Sequence, residues 1–175
     1  MKKYIFICIS LVVAIAACQN KQQSTTSTTA TTSNIQLPYT ATYAIDFNNN
    51  VSDSDLLVVL NSYKDWETGD VNALRSTMGD SVTVNGANGF KFSGLTDSLM
   101  NDWKTMRDSL SSVKITMDVW LKNHSVKDGH DFINVWYKEI DTFKTGKVDS
   151  ANYEDDNGVK DGKIVWYSSH RQQLK

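Results

Sequence analysis

The second half of the chain alternates, and that restricts its fold more than any other feature. In "SVKITMDVWLK", residues 112–122, Val113, Ile115, Met117 and Val119 share one face while Lys114, Thr116, Asp118 and Trp120 share the other. That is the two-residue period of a strand with one buried side. "HDFINVWYKEIDTF" is apolar on both faces, and "GKIVWYSSHRQQL" supplies a further strand at the end of the chain. Residues 144–156 are expected to add another, with "DDNGVKDGK" as a connection. Turns fall at "KDGHD" and "KDGK", so consecutive strands reverse direction.

Helical spacing occupies the residues before these strands. Ser52 with Asp55 three residues on has the form of a capping box, and Leu56, Val59, Leu60, Tyr63 and Trp66 fall on one helical face until Gly69. Asp70 is placed to cap a shorter helix carrying Val71, Leu74 and Met78. "DSVTVNGANGFKFSG" reads as two short strands around Asn-Gly. Thr96 is then expected to cap a third helix through Leu99, Trp103, Met106 and Leu110. Helices followed by consecutive strands make an α+β domain with a curved antiparallel sheet wrapped around three helices.

The N-terminus is of another kind. Lys2 and Lys3 precede an apolar run, Tyr4 to Ala14, which ends in small residues and Cys18. This is the layout of an export signal, too short for the roughly 20 apolar residues of a membrane span. Residues 19–36, "QNKQQSTTSTTATTSNIQ", hold almost nothing that packs and read as a tether. Residues 37–50 read as an extended arm, and 51–175 as the folded domain. The chain carries a net charge of −2, which becomes −4 without Lys2 and Lys3. No basic face of the kind that neutralises phosphates is visible, so nucleic acid is not an expected partner.

Ile15-Ala16-Ala17-Cys18 resembles the bacterial lipobox, which implies cleavage after residue 17 and lipidation of Cys18 with diacylglycerol and an acyl chain such as palmitate. The protein is thus expected in the bacterial cell envelope, and the absence of Asp after the cysteine points to the outer membrane. Cys8 leaves with the signal and Cys18 is capped, so the mature domain has no thiol for disulfides or zinc.

"YKDWETGDVNAL", "GDSVTVNGANGFKFSGLTDSL" and "DGKIVWYSSHR", in that order and over about residues 54–172, resemble the nuclear transport factor 2-like superfamily with its SnoaL-like cyclase and ketosteroid isomerase branches. The resemblance implies a cone-shaped apolar cavity and, in its enzymes, a carboxylate or His–carboxylate pair that moves protons on carbon. It puts Asn85 where the isomerase branch has an aspartate base, and an amide cannot take that proton. Gln172 stands about where an acidic residue often follows in the last strand.

The remaining titratable candidates are Asp118, His124, His130, Asp131, Tyr137, Glu139 and His170. Alternation sends Asp118 away from the helices. His124 and His130 flank a turn, while His170 shares a face with Ile164, Trp166 and Ser168 and so is expected near the cavity mouth. His170 and Asp118 are the catalytic candidates. The pocket candidates are Tyr63, Trp66, Asn85, Trp103, Trp136, Tyr137, Trp166 and His170, an aromatic set that suits either a small-molecule site or an ordinary core. "YEDDNGVKDGK" lacks the ligand spacing of an EF-hand loop and reads as a solvated acidic loop.

No metal or cofactor is implied. The leading expectation is a membrane-anchored domain that binds a small apolar or amphipathic ligand, or a protein partner, without catalysis. An isomerase, dehydratase or cyclase acting on a hydrophobic substrate, and an assembly module dimerising through the outer sheet face, stay open. An inward carboxylate or histidine within reach of a polar partner would favour the enzyme.

Overall fold

The computed structural model describes residues 47–127 and 129–174. The leader, Cys18, the tether and residues 37–46 of the arm lie outside the described residues. The elements run β1 Phe47–Asn48, α1 Asp53–Thr68, α2 Val71–Thr77, β2 Met78–Asn85, β3 Lys91–Leu95, α3 Thr96–Asp108, β4 Leu110–Ser125, β5 Asp131–Phe143, β6 Val148–Lys160 and β7 Lys163–Gln173.

Local chemistry explains where the helices start and stop. Ser52 Oγ accepts the Asp55 amide at 3.0 Å and donates to its carboxylate at 2.7 Å, which satisfies an otherwise orphaned N–H of α1. Gly69 ends α1 in the left-handed region at φ 83°, where a residue without Cβ is favoured. Asp70 caps α2 by accepting the Ala73 amide at 2.9 Å. Thr96 does not cap α3, contrary to expectation. Its hydroxyl instead donates 2.6 Å to the Gly79 carbonyl, fully buried between α3 and β2, and Leu95 occupies the N-cap without a side-chain bond.

One curved, unclosed sheet of seven strands, ordered β1-β4-β5-β6-β7-β2-β3, packs against the three helices. Its strand pairs are antiparallel apart from β2–β7, which is parallel. The expected connection "DDNGVKDGK" is mostly strand: β6 continues to Lys160 and reverses at Asp161-Gly162. Every residue from Asp155 to Val159 is paired across to β7.

Two irregularities change which side chains face the helices. Asp118 is an extra residue in β4, since Met117 lies opposite Tyr137 and Val119 opposite Trp136. Beyond it Val119 passes to the outer face, 46 % exposed, so the expected uniform face of Val113, Ile115, Met117 and Val119 ends at Met117. Val165 is an extra residue in β7, since Ile164 lies opposite Val159 and Trp166 opposite Gly158. Ile164 therefore points inward, Trp166 outward, and Tyr167, Ser169 and Arg171 inward again. The core joins Val59, Tyr63, Leu74, Met78, Ile133, Val135 and Ile164, with a second cluster of Val82, Val84 and Leu99 beside Trp103.

Candidate functional site

Helices and sheet leave a cavity of about 590 Å³ between them, within the range of small-molecule sites. Helix α1 contributes Tyr63 and Trp66, α3 contributes Trp103 and Met106, and the inward faces of β5, β6 and β7 contribute Tyr137, Glu139, Asp141, Tyr153, Asn157 and Tyr167. The rings brace one another edge to face: Trp66 with Trp103 at 6.4 Å, Trp103 with Tyr167 at 6.3 Å and Tyr63 with Tyr137 at 5.0 Å. Tyr137 stacks on Tyr153, directly opposite it across β5 and β6, at 5.2 Å.

At the inner end, three phenols converge on one buried carboxylate oxygen. Asp155 Oδ2 accepts hydrogen bonds from Tyr63 at 2.9 Å, Tyr137 at 2.8 Å and Tyr167 at 2.8 Å. The Asn157 amide donates at 3.1 Å to the Tyr63 oxygen and at 3.1 Å to the Ile133 carbonyl. Asp155 is fully buried, and burial raises its pKa while the neighbouring Ser169 and the three tyrosine hydroxyls oppose that rise; its second oxygen, Oδ1, has no hydrogen-bond partner among the described residues. Burial, followed for two of them by the nearby Asp155 charge, pushes all three phenols well above their ordinary pKa, so they remain donors. Asp155 lies beneath the cavity wall and holds the tyrosines in place.

Two further carboxyls line the cavity itself. Glu139 and Asp141 stand two residues apart on β5, hence on one face, near enough for each carboxyl to act on the other's ionisation. Burial raises both pKa values, and the Asp141 charge helps push Glu139 to about 8, against a smaller opposing influence of the nearby Trp66 indole. Glu139 therefore keeps its proton at neutral pH. The buried Asp141 Oδ1 has no hydrogen-bond partner among the described residues. At the mouth, Arg171 bonds Asp149 at 2.8 Å and the Tyr153 hydroxyl at 2.9 Å.

Of the pocket candidates, Tyr63, Trp66, Trp103 and Tyr137 line the cavity. Trp136, Trp166, His170 and Asn85 do not. Trp136 stands opposite Val119 on the outer face, and Trp166 lines an outer groove with Phe132 and Phe47. His170 is exposed, because the extra Val165 reverses the alternation that seemed to join it to Ile164. Asn85 pairs with Lys91 and Ser168, out of phase with the inward Val82 and Val84. Asp118 is exposed at its bulge. His124 pairs with Asp131 at 2.6 Å, and His130 is exposed.

Sequence patterns alone do not single out Asp155, Asn157, Tyr167, Ser169 or Asp141, and they leave Glu139 a titratable candidate with no assigned role. The "solvated acidic loop" reading of "YEDDNGVKDGK" is overturned, because Asp155 and Asn157 are buried in β6. The usable signal was the alternation Ala151, Tyr153, Asp155, Asn157, Val159, obscured by the run of polar residues. Among the described residues, no three His, Cys, Asp or Glu side chains are grouped to hold a metal ion.

No family model matches the sequence, and no curated protein matches it. Solved structures do match. An LEH-like epoxide hydrolase from M. tuberculosis superposes with a TM-score of 0.59 at 10 % identity, over 69 % of this chain and 84 % of its own. A ketosteroid isomerase-like protein from Erwinia carotovora atroseptica gives 0.58 at 13 % identity, over 73 % and 100 %. An NTF2-like protein of unknown function from Burkholderia pseudomallei gives 0.57 at 14 %, over 70 % and 92 %. With three helices laid into a curved, unclosed sheet around an inner cavity, the chain has the nuclear transport factor 2-like fold.

Proposed function

We propose that this chain binds a small, predominantly apolar molecule inside the cone and holds the molecule's polar group at Glu139 and Asp141. The observation that carries the reading is an aromatic-walled cavity of about 590 Å³ with that carboxyl pair on its wall. Apolar walls supply most of the affinity, while a few convergent polar groups set orientation.

A second reading, turnover by proton transfer, is favoured by one observation: Glu139 holds a proton to about pH 8 beside an acceptor carboxylate. A group with its pKa near the working pH is suited to act as general acid or base. The case against catalysis had rested on Asn85, which does not line the cavity. The structural neighbour named as an epoxide hydrolase has the same fold, which supports enzymatic as well as binding use of such a cone.

Native mass spectrometry of the chain purified from its own cells tests both readings. A co-purifying small molecule, displaced by Trp103→Ala, supports binding; wild-type protein that never carries or takes up a small molecule overturns it. Glu139→Gln keeps the shape and removes the exchangeable proton. If the variant carries a different molecule from the wild type, the wild type transforms its ligand; the same molecule in both argues for binding alone.

We further infer that the domain is tethered through lipid on Cys18 in a bacterial envelope, the support being the order of charged start, apolar run, small residues and cysteine. Cys18→Ser is expected to abolish acylation, and undiminished lipid labelling overturns the anchor.

A further inference from the structure

We propose that the ligand of the cone is an organic cation, with an apolar body and an amine or quaternary ammonium head. The proposal rests on reading the cavity as a ligand site, and three features of the lining narrow that site to this class.

The first is hydrogen-bond polarity. A phenol has one proton to give, and Tyr63, Tyr137 and Tyr167 all give theirs to Asp155 Oδ2. Tyr137 and Tyr167 therefore keep no hydroxyl proton for a ligand. The Asn157 amide is spent on the Tyr63 oxygen and the Ile133 carbonyl. The phenols and the amide at the inner end of the cavity thus have no proton to spare for a carboxylate or phosphate head.

Charge is the second. Among the described lining residues Asp102, Asp141 and Asp149 are acidic, Glu139 keeps its proton at neutral pH, and Arg171 is the basic group. Arg171 is already engaged by Asp149 and Tyr153. The lining is net negative, and since Asp102 is exposed and Asp149 is paired with Arg171, the acid left with an unpartnered buried oxygen is Asp141. Asp141 Oδ1, buried with no hydrogen-bond partner, is the atom an ammonium head would neutralise.

The third is aromatic surface. Trp66, Trp103, Tyr137, Tyr153 and Tyr167 present ring faces and edges around the same space. The negative ring face attracts a cation, and this attraction grows when the cation is desolvated. Phenols without a spare proton, a negative wall and an aromatic cage all favour the same head group, while the apolar wall at Leu74, Met78 and Ile164 receives the body.

The test titrates the full chain with phenylbutylamine, phenylbutyltrimethylammonium, phenylbutanol and phenylbutanoate by calorimetry at neutral pH. These probes share one body and differ at the head. The expected result is that both cations bind at least about tenfold tighter than the alcohol, with the carboxylate weakest. Asp141→Asn should bring the cations down toward the alcohol while leaving the alcohol unchanged. If the alcohol or carboxylate binds as tightly as the cations, the cation inference is overturned and the ligand reading stands. If none of the probes binds, both fall. The wild-type ranking alone decides the matter if Asp141→Asn does not fold.

Discussion

The Tyr63 hydroxyl donates a 2.9 Å hydrogen bond to Asp155, 92 residues further along the chain, and so ties the first helix to the sixth strand beneath the cavity floor. Tyr137 and Tyr167 meet the same oxygen, so one carboxylate joins α1, β5, β6 and β7.

The four residues should therefore behave as a unit. Asp155→Ala leaves three buried phenols without their acceptor, and each unsatisfied donor costs about 1–3 kcal/mol. A loss on the order of 3–5 kcal/mol is expected from urea unfolding. Combining Asp155→Ala with Tyr63→Phe should cost clearly less than the two separate losses together, because both remove the same bond. Strict additivity would show that the cluster does not act as described.

Glu139 makes stability depend on pH with a definite sign. Its carboxyl titrates near 4.5 when unfolded and near about 8 in the fold. Between those values the folded state binds a proton that the unfolded state has lost, so stability falls as pH rises, by up to about 1.4 kcal/mol per unit. Asp141 and Asp155, also raised by burial, add the same sign above their unfolded values. The urea midpoint should decline from about pH 5 to about pH 8, and Glu139→Gln should flatten that decline. A wild-type midpoint that climbs over this range contradicts the assignment.

Gly69 and Gly89 make a matched pair. Both have φ 83°, yet a Cβ on Gly69 would lie 3.1 Å from the Arg107 guanidinium, whereas one on Gly89 meets nothing within 4 Å. Arg107 donates to the Trp66 and Glu67 carbonyls at 2.8 and 2.9 Å, closing the end of α1. Gly89→Ala is expected to cost about 1 kcal/mol, the left-handed backbone penalty. Gly69→Ala should cost more, because the arginine must also shift. Equal melting temperatures for the two variants would mean that the arginine yields freely.

Substitutions on the two faces should separate cleanly. His170→Ala and Trp166→Phe, outside the cavity, are expected to leave its ligand affinity within experimental error. Trp103→Ala removes a wall and should weaken binding by about tenfold or more, at the scale of a buried aromatic contact. Loss of affinity on His170→Ala, measured by the same calorimetry, would place the site elsewhere.

Much of the fold could be read locally. Ser52 and Asp55, Gly69 and Asp70 act within a few residues of themselves, and helix stripes and strand alternation are short-range patterns. The sequence by itself therefore determined the three helices, the long strands and the α+β class, and its first 36 residues carry the layout expected of a lipidated leader and tether. Tertiary structure alone decided which face each later strand presents. A single extra residue reverses the alternation, and Asp118 and Val165 are such residues, recognisable only once their strands are paired. That is why His170 and Trp166 turned outward while Tyr167 and Ser169 turned in. Asp155 shows the same limit in energetic form: a carboxylate in "YEDDNGVKDGK" reads as solvated until three tyrosines from distant elements supply the donors that make its burial possible.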